Sequence, residues 1–229
     1  MESKYNFKQL MQERHSTRKF ESKEIPKEIL KDIISTSLLT PSWTNSQPWK
    51  IYIASGKALS EIKKVYSSNY EQKVEHKPDM PYAHRNEFSK ISQNNMAELI
   101  KSFKEKTNSE IMDYNCILFN APTIIYLALN KGYPKWSAYD LGALSMAIML
   151  AAKDRGIDSV PAAFATIYPD VLRKILKIPD DEDVIVGIAL GYEEKCVAND
   201  YRANKLKIDD VCKFIEEIWN RLLLILNKV

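Results

Sequence analysis

The run PTIIYLALN, residues 122–130, constrains the fold more than any other stretch of this chain. It is nearly all apolar and rich in β-forming residues. A strand with one wet face alternates apolar and polar side chains, whereas this run offers apolar groups to both sides. The pattern predicts a strand buried on both faces, which needs a covering layer on each side of its sheet. Residues 138–155 have apolar side chains almost all round a helical projection, so a central helix is predicted there, with Gly156 as its C′ glycine.

The flanking patterns supply the other layers. Residues 6–14 form a short amphipathic helix through Phe7, Leu10 and Met11. Pro26 opens a second helix with the stripe Ile29, Leu30, Ile33, Ile34 and Leu38, and Pro41 stops it. Residues 49–54 alternate as a strand ending at Gly56, and 57–73 return to helical spacing through Leu59, Ile62, Val65 and Tyr66. A long polar-faced helix is expected over 86–114, a short strand into Val160, a helix from Pro169, a strand over 183–190 and a closing helix over 209–227. Strands separated by long helices in mixed order predict an α+β, three-layer arrangement rather than a regular βαβ series. At 229 residues without repeats, low-complexity tracts or a linker, the chain reads as one domain.

Bulk properties exclude several classes of function. The net charge is +3 with both signs interspersed, so no basic block marks a nucleic-acid surface. Cys116, Cys196 and Cys212 are far apart, which argues for a reducing compartment and against a disulfide framework or zinc site. The N-terminus has no apolar signal segment, and the longest apolar run, 141–152, is too short to span a bilayer. A cytoplasmic protein without membrane association is expected.

The motifs say as much by absence as by presence. The six glycines form neither a dinucleotide-binding G-x-G-x-x-G nor a P-loop. The three histidines lack H-x-x-x-H spacing, so no metal site is expected, and there is no G-x-S-x-G elbow. An enzyme built from this chain must take its chemistry from a cofactor. In RHSTR, an extended backbone would put Arg14, Ser16 and Arg18 on one side, a grip suited to an anion, although a solvated polar turn accounts for the same five residues. Arg202 and Lys205 in NDYRANK add a second basic cluster. The loop before residue 49, PSWTNSQPW, holds two of the four tryptophans, a costly surface for a loop unless something flat lies against Trp43. Trp49 opens the strand and reads as core.

Taken together, RHSTRKF, TPSWTNSQPWKIYIASG, YDLGALSMAIMLAAKDRGIDSVPAAF, YPDVLRKILKIPDDEDVIVGIALGYEE and NDYRANKLKIDDV resemble the FMN-dependent nitroreductase family, in the nitrobenzoate-reductase-like branch with a tryptophan after Pro-Ser. The resemblance covers nearly the whole chain except about residues 57–115. It implies a three-layer α/β/α sandwich with a mixed central sheet, an intertwined homodimer and two FMN sites at the subunit interface. It also implies that Arg14 and Ser16, with His15 between them, hold the phosphate end while Arg18 reaches the pyrimidine edge. Pro41, Ser42, Trp43 and Asn45 would reach the flavin of the opposite subunit. Pro161, Ala162 and Ala163 would lie beside N5, and Arg202 and Lys205 would complete the phosphate grip. Lys205 stands where relatives commonly have Arg, and the Pro-x-Glu-Gly found beside N5 in some members is absent.

The implied activity is ping-pong: NAD(P)H gives a hydride to N5 and leaves, and a nitroaromatic, quinone or similar small acceptor takes its place. Other flavin chemistry, such as reductive dehalogenation or flavin breakdown, and a non-catalytic flavin-binding role are the alternatives. The 57–115 insertion is expected to form a mobile helical lid, with Tyr82, Arg85 and Phe88 meeting the substrate and Arg85 attracting anionic acceptors.

Overall fold

The structure is a computed structural model that describes residues 6–215. In chain order the elements are α1 (Phe7–Glu13), α2 (Lys27–Ser37), β1 (Trp49–Ser55), α3 (Gly56–Glu71), α4 (Lys90–Thr107), α5 (Ile111–Asn115), β2 (Thr123–Asn130), α6 (Lys135–Asp154), β3 (Asp158–Ala162), α7 (Pro169–Leu176), β4 (Glu182–Gly191), α8 (Val197–Asp200) and α9 (Ile208–Val211). Their ends follow local chemistry. The Asn6 side chain accepts from the Gln9 backbone N–H while the Gln9 side chain accepts from Asn6, a reciprocal cap that starts α1. Gly156, at φ +73°, takes the left-handed turn that ends α6.

The four strands are ordered β1-β2-β4-β3, and every neighbouring pair is antiparallel. The parallel contribution is a single bridge, Ser16 to Ser159, beside β3. The run that reads as doubly buried is β2, which lies inside the sheet with all but its last residue buried. Ile124 and Tyr126 point into a cluster with Leu59, Ile62 and Tyr66 of α3 and Leu172 of α7. Ile125, Leu127 and Leu129 point the other way, into a cluster with Ile33 of α2 and Leu144 and Ile148 of α6. Each such side chain contributes about 1.5–3 kcal/mol by leaving water, so one strand ties both helical layers to the sheet. The result is the expected α+β sandwich, with Trp49 in the second cluster.

Two expectations need correction. The single helix over 86–114 is instead a 3-10 turn (Arg85–Glu87), α4 and α5. The break falls at Asn108, whose left-handed φ of 53° ends α4; asparagine tolerates that conformation better than most residues. The closing helix is also interrupted within the described residues: α9 ends at Val211, Cys212 is extended (φ −115°, ψ 135°), and Phe214 and Ile215 are exposed rather than packed. The remainder of that expected helix, including Ile218 and Trp219, lies outside the described residues. Among the described residues no helix is long and apolar enough to cross a membrane.

Candidate functional site

The site grows from residues 14–21, which run extended past the ends of β3 and β4. The Thr17 N–H donates to Ser159 O (3.1 Å) and the Glu21 N–H to Tyr192 O (2.9 Å). Asn199, 1% exposed, clamps the same segment: its Oδ1 accepts from the Arg18 N–H (2.7 Å) and the Lys19 N–H (3.3 Å), while its Nδ2 donates to Lys19 O (2.7 Å) and Glu194 O (2.8 Å). Side chains alternate on such a backbone, so Thr17 is fully buried while Arg14, Ser16 and Arg18 turn to one side. His15 is buried too, with Nδ1 3.0 Å from Glu13 O and Nε2 3.2 Å from Glu193 Oε1.

Two cavities meet at Ser16 and Arg18. One, of about 440 Å³, is bounded by Pro161, Ala162 and Ala163, with Phe119, Phe164 and Tyr82 among its apolar and aromatic walls. The other, of about 410 Å³, gathers Arg14, His15, Arg202 and Lys205. Residues from three distant parts of the sequence thus line two cavities that share Ser16 and Arg18 in their walls, one mainly apolar and the other cationic.

Among the described residues no salt bridge reaches Arg14, Arg18, Arg202 or Lys205. The buried Nε of Arg14 has no hydrogen-bond partner among the described residues. Burial, and then the positive charge of Arg202, hold the Arg14 guanidinium below its ordinary pKa. Burial likewise lowers that of Arg18, opposed by Tyr201 and Tyr114 and assisted by Arg202. Arg18 Nη1 donates to Ser16 O (3.0 Å), and its guanidinium carbon lies 4.8 Å from the Phe103 ring centroid and 5.8 Å from that of Tyr201. Like charges held together without an anion are costly, and an incoming anion removes that cost.

The apolar cavity depends on a close backbone approach. A 3-10 turn, Ala163–Thr166, carries Ala163 and Phe164 against β4 at Gly187. A Cβ on Gly187 would lie 2.5 Å from the Cβ of Ala165, so only glycine lets the turn sit this close.

Other expected residues lie elsewhere. Pro41, Ser42, Trp43 and Asn45 line neither cavity of this chain. Their loop has left-handed backbone at Thr44, Asn45 and Gln47, and is fixed by the Trp43 N–H donating to Asp140 Oδ2 (3.0 Å). Trp43 stacks on Trp136 at 4.5 Å between centroids, yet both remain about half exposed, at 55% and 51%. Tyr82 of the expected lid lines the apolar cavity, but Arg85 and Phe88 do not; the 3-10 turn that begins at Arg85 leaves both exposed. His76, absent from the expected set, lines the cavity beside Tyr82.

Two other features carry none of this chemistry. A concavity of about 820 Å³ between α2 and β1 is mostly aliphatic and contains none of the expected site residues. His15, Asp158 and Glu193 have donor atoms within 4.8 Å of one another, but the Lys153 ammonium, 2.8 Å from Asp158, already supplies that group's positive charge.

Known proteins match this architecture. The nitroreductase family model matches residues 11–192. Chloronitrobenzene nitroreductase of Comamonas testosteroni is 29% identical over 223 residues, covering 91% of this chain and 96% of the relative. Nitrobenzene nitroreductase of Ectopseudomonas oleovorans is 26% identical with the same coverage, and 4-nitrobenzoate reductase of Pseudomonas putida is 24% identical over 86% of this chain and 90% of its own. Among solved structures, the FMN-dependent nitroreductase NfnB from Mycobacterium smegmatis in complex with NADPH superposes with a TM-score of 0.85 at 22% identity, covering 91% of this chain and 97% of that one. A family match over most of the chain, on a fold shared over 91% of it, establishes that the protein belongs to the nitroreductase family.

Proposed function

We propose that the protein is an FMN-dependent oxidoreductase that takes electrons from NAD(P)H and reduces nitroaromatic compounds or similar small acceptors. The observation that carries this reading is the pair of cavities sharing Ser16 and Arg18, one holding a buried Arg14 Nε that has no partner among the described residues and the other walled by Phe119, Phe164 and Tyr82. FMN has the same distribution of properties: flat apolar faces, a polar edge and an anionic tail. When bound, it supplies the two-electron chemistry that the side chains of these cavities lack. The names of the curated relatives point to nitroarenes as the acceptor class, and the NADPH complex of the structural neighbour points to a reduced nicotinamide donor.

The chain's own residues divide the work. Arg14, Ser16, Arg202 and Lys205 bind the phosphate through charge-assisted hydrogen bonds. Arg18 would present a fixed positive charge toward the polar edge of the flavin and favour the negative charge of its reduced form. His15, braced by Glu193, and Asn199 hold the segment that carries these groups. Pro161, Ala162 and Ala163 would border the ring, and Phe164 and Tyr82 would shield it from water. Donor and acceptor use the same open cavity in turn, which gives ping-pong turnover.

The functional unit is a homodimer of one-domain subunits in the cytoplasm. Exposed Trp43, Trp136, Val211, Phe214 and Ile215 are the surface a second copy would cover. Pro41, Ser42, Trp43 and Asn45 would then complete the partner's cavity. The test is anaerobic mixing of the FMN-loaded protein with NADPH or NADH, then with nitrobenzene, followed by flavin absorbance. Bleaching and recovery are expected, whereas failure to retain FMN, or FMN that stays oxidised, refutes the reading. The same preparation should sediment as a dimer; an FMN-loaded monomer refutes the assembly.

A further inference from the structure

The connection from α3 to α4 is expected from sequence to be a mobile lid, but the structure pins it at one residue. Residues 72–77 and 80–84 are exposed, so few side-chain contacts fix their course. Asp79 is the exception. Its Oδ2 accepts from Arg173 Nη2 of α7 (2.8 Å) and from the Val184 N–H of β4 (2.8 Å), and both charged side chains are only 12% exposed. Arg173 Nη2 also donates to Glu182 O (2.7 Å). β3 pairs with β4 only from Gly187 to Gly191, so at Val184 the outer side of β4 has no strand partner, and the carboxylate takes that place.

Lighter contacts flank the pin. The Lys77 N–H donates to Ile167 O (3.0 Å), the Tyr168 hydroxyl to Val74 O (3.4 Å), and the His76 ring stands edge-on to Phe164 (5.8 Å) and Tyr168 (5.5 Å). Phe164, His76 and Tyr82 all line the apolar cavity. Tyr82 stands half-exposed at the cavity rim, where partial burial, and then Tyr168, raise its pKa.

We propose that Asp79 is a positioning residue that fixes residues 74–82 as one wall of the cavity, and that His76 and Tyr82 on that wall select the acceptor. This rests on the flavin-oxidoreductase reading above. The wall faces the acceptor with an imidazole and a phenol. Both can donate to a nitro group or a carboxylate and pack against an aromatic ring, so acceptors that differ by one carboxylate meet it differently. Asp79 touches none of these ligands. It acts by holding the two side chains in place.

The experiment compares kcat/KM for nitrobenzene and 4-nitrobenzoate, because in ping-pong turnover each value reports only the oxidative half and their ratio cancels any loss of active enzyme. His76→Ala and Tyr82→Ala should each change the ratio, and Asp79→Ala should change it by about fivefold or more, as expected when a selective polar contact is lost. Combining Asp79→Ala with both wall substitutions should leave the ratio within about twofold of the His76→Ala/Tyr82→Ala double variant, since residues acting through one another are not additive. FMN affinity should stay within about threefold of wild type throughout, because a uniform loss of binding would mark a merely structural role. Asp79→Asn keeps an oxygen for the Val184 N–H and should shift the ratio less; it also serves if Asp79→Ala does not fold. An unchanged ratio in both Asp79 variants, or a change that only tracks FMN loss, overturns the proposal. A wild-type protein that binds no FMN overturns the functional reading instead.

Discussion

Arg18→Met separates function from stability more sharply than any other single change. Met keeps most of the side-chain volume and removes the charge. Arg18 is 8% exposed, donates one hydrogen bond to Ser16 O and lies over Phe103. Losing that charge-assisted bond costs about 1.5–3 kcal/mol. Losing the contact over the ring costs a further ~1 kcal/mol. Against this, the folded protein no longer buries a guanidinium that has no carboxylate partner among the described residues, a penalty of several kcal/mol. The lowered pKa of Arg18, caused first by burial, has the same sign: the fold disfavours the charge. The expected net change in apoprotein stability lies between a loss of about 1 and a gain of about 2 kcal/mol. Flavin reduction by NADPH at saturating FMN should nevertheless slow by about 10²–10³, the usual effect of removing one oxyanion-type donor. Urea unfolding of the apoprotein and anaerobic stopped-flow absorbance read the two effects. A stability loss above about 3 kcal/mol with reduction unslowed would show that Arg18 is a structural group, and the reasoning fails.

Two further predictions concern the frame around the site. The Tyr52 hydroxyl donates to Glu182 Oε2 (2.7 Å), and Glu182 is 6% exposed, so Tyr52→Phe should cost about 1.5–3 kcal/mol at pH 8. Burial, and then that bond, push the Tyr52 pKa up to about 12, so its contribution is complete below pH 10 and disappears as pH rises toward 12; a wild-type-minus-variant difference that is flat across this window would refute it. Gly187→Ala places a methyl 2.5 Å from Ala165 Cβ and must push the Ala163–Thr166 turn off β4, costing about 1–3 kcal/mol and weakening FMN retention. Thermal unfolding and FMN titration that match wild type would refute that account.

The parts of this fold written in side-chain periodicity were legible in the sequence. The doubly apolar run at 122–130 is β2, the all-round apolar stretch is α6, and the alternation in RHSTR reproduces the side of the backbone taken by Arg14, Ser16 and Arg18. Features set by one residue's backbone were not. Asn108 breaks a predicted helix without a proline or glycine, and Leu118 and Phe119, which carry no turn signal, are left-handed together with Asn120. The convergence of residues 14–18 with 161–163 and 202–205 followed from the family resemblance, since no spacing rule links segments so far apart. Asn199 and His76 escaped notice for a related reason. Each acts through partners distant in the chain: Arg18 and Lys19 for one, Phe164 and Tyr168 for the other. The lid residues Arg85 and Phe88 looked suitable by composition alone; the Asp79 pin instead leaves His76 and Tyr82 on the cavity wall.

The strand order has a consequence for how the protein comes into being on the ribosome. Ser55 pairs with Thr123 and Trp49 with Leu129, while Thr123 pairs in turn with Leu190. The only strands that pair close in sequence are β3 and β4, the last to be synthesised. The apolar segment 123–129 must therefore wait, with β4 missing from its side, until Gly191 has left the exit tunnel. Such distant pairings close slowly, and the waiting segment is the nascent chain's most adhesive stretch. Polypeptides released before Gly191 should accordingly cling to holdase chaperones or precipitate, and those released beyond it should escape both fates.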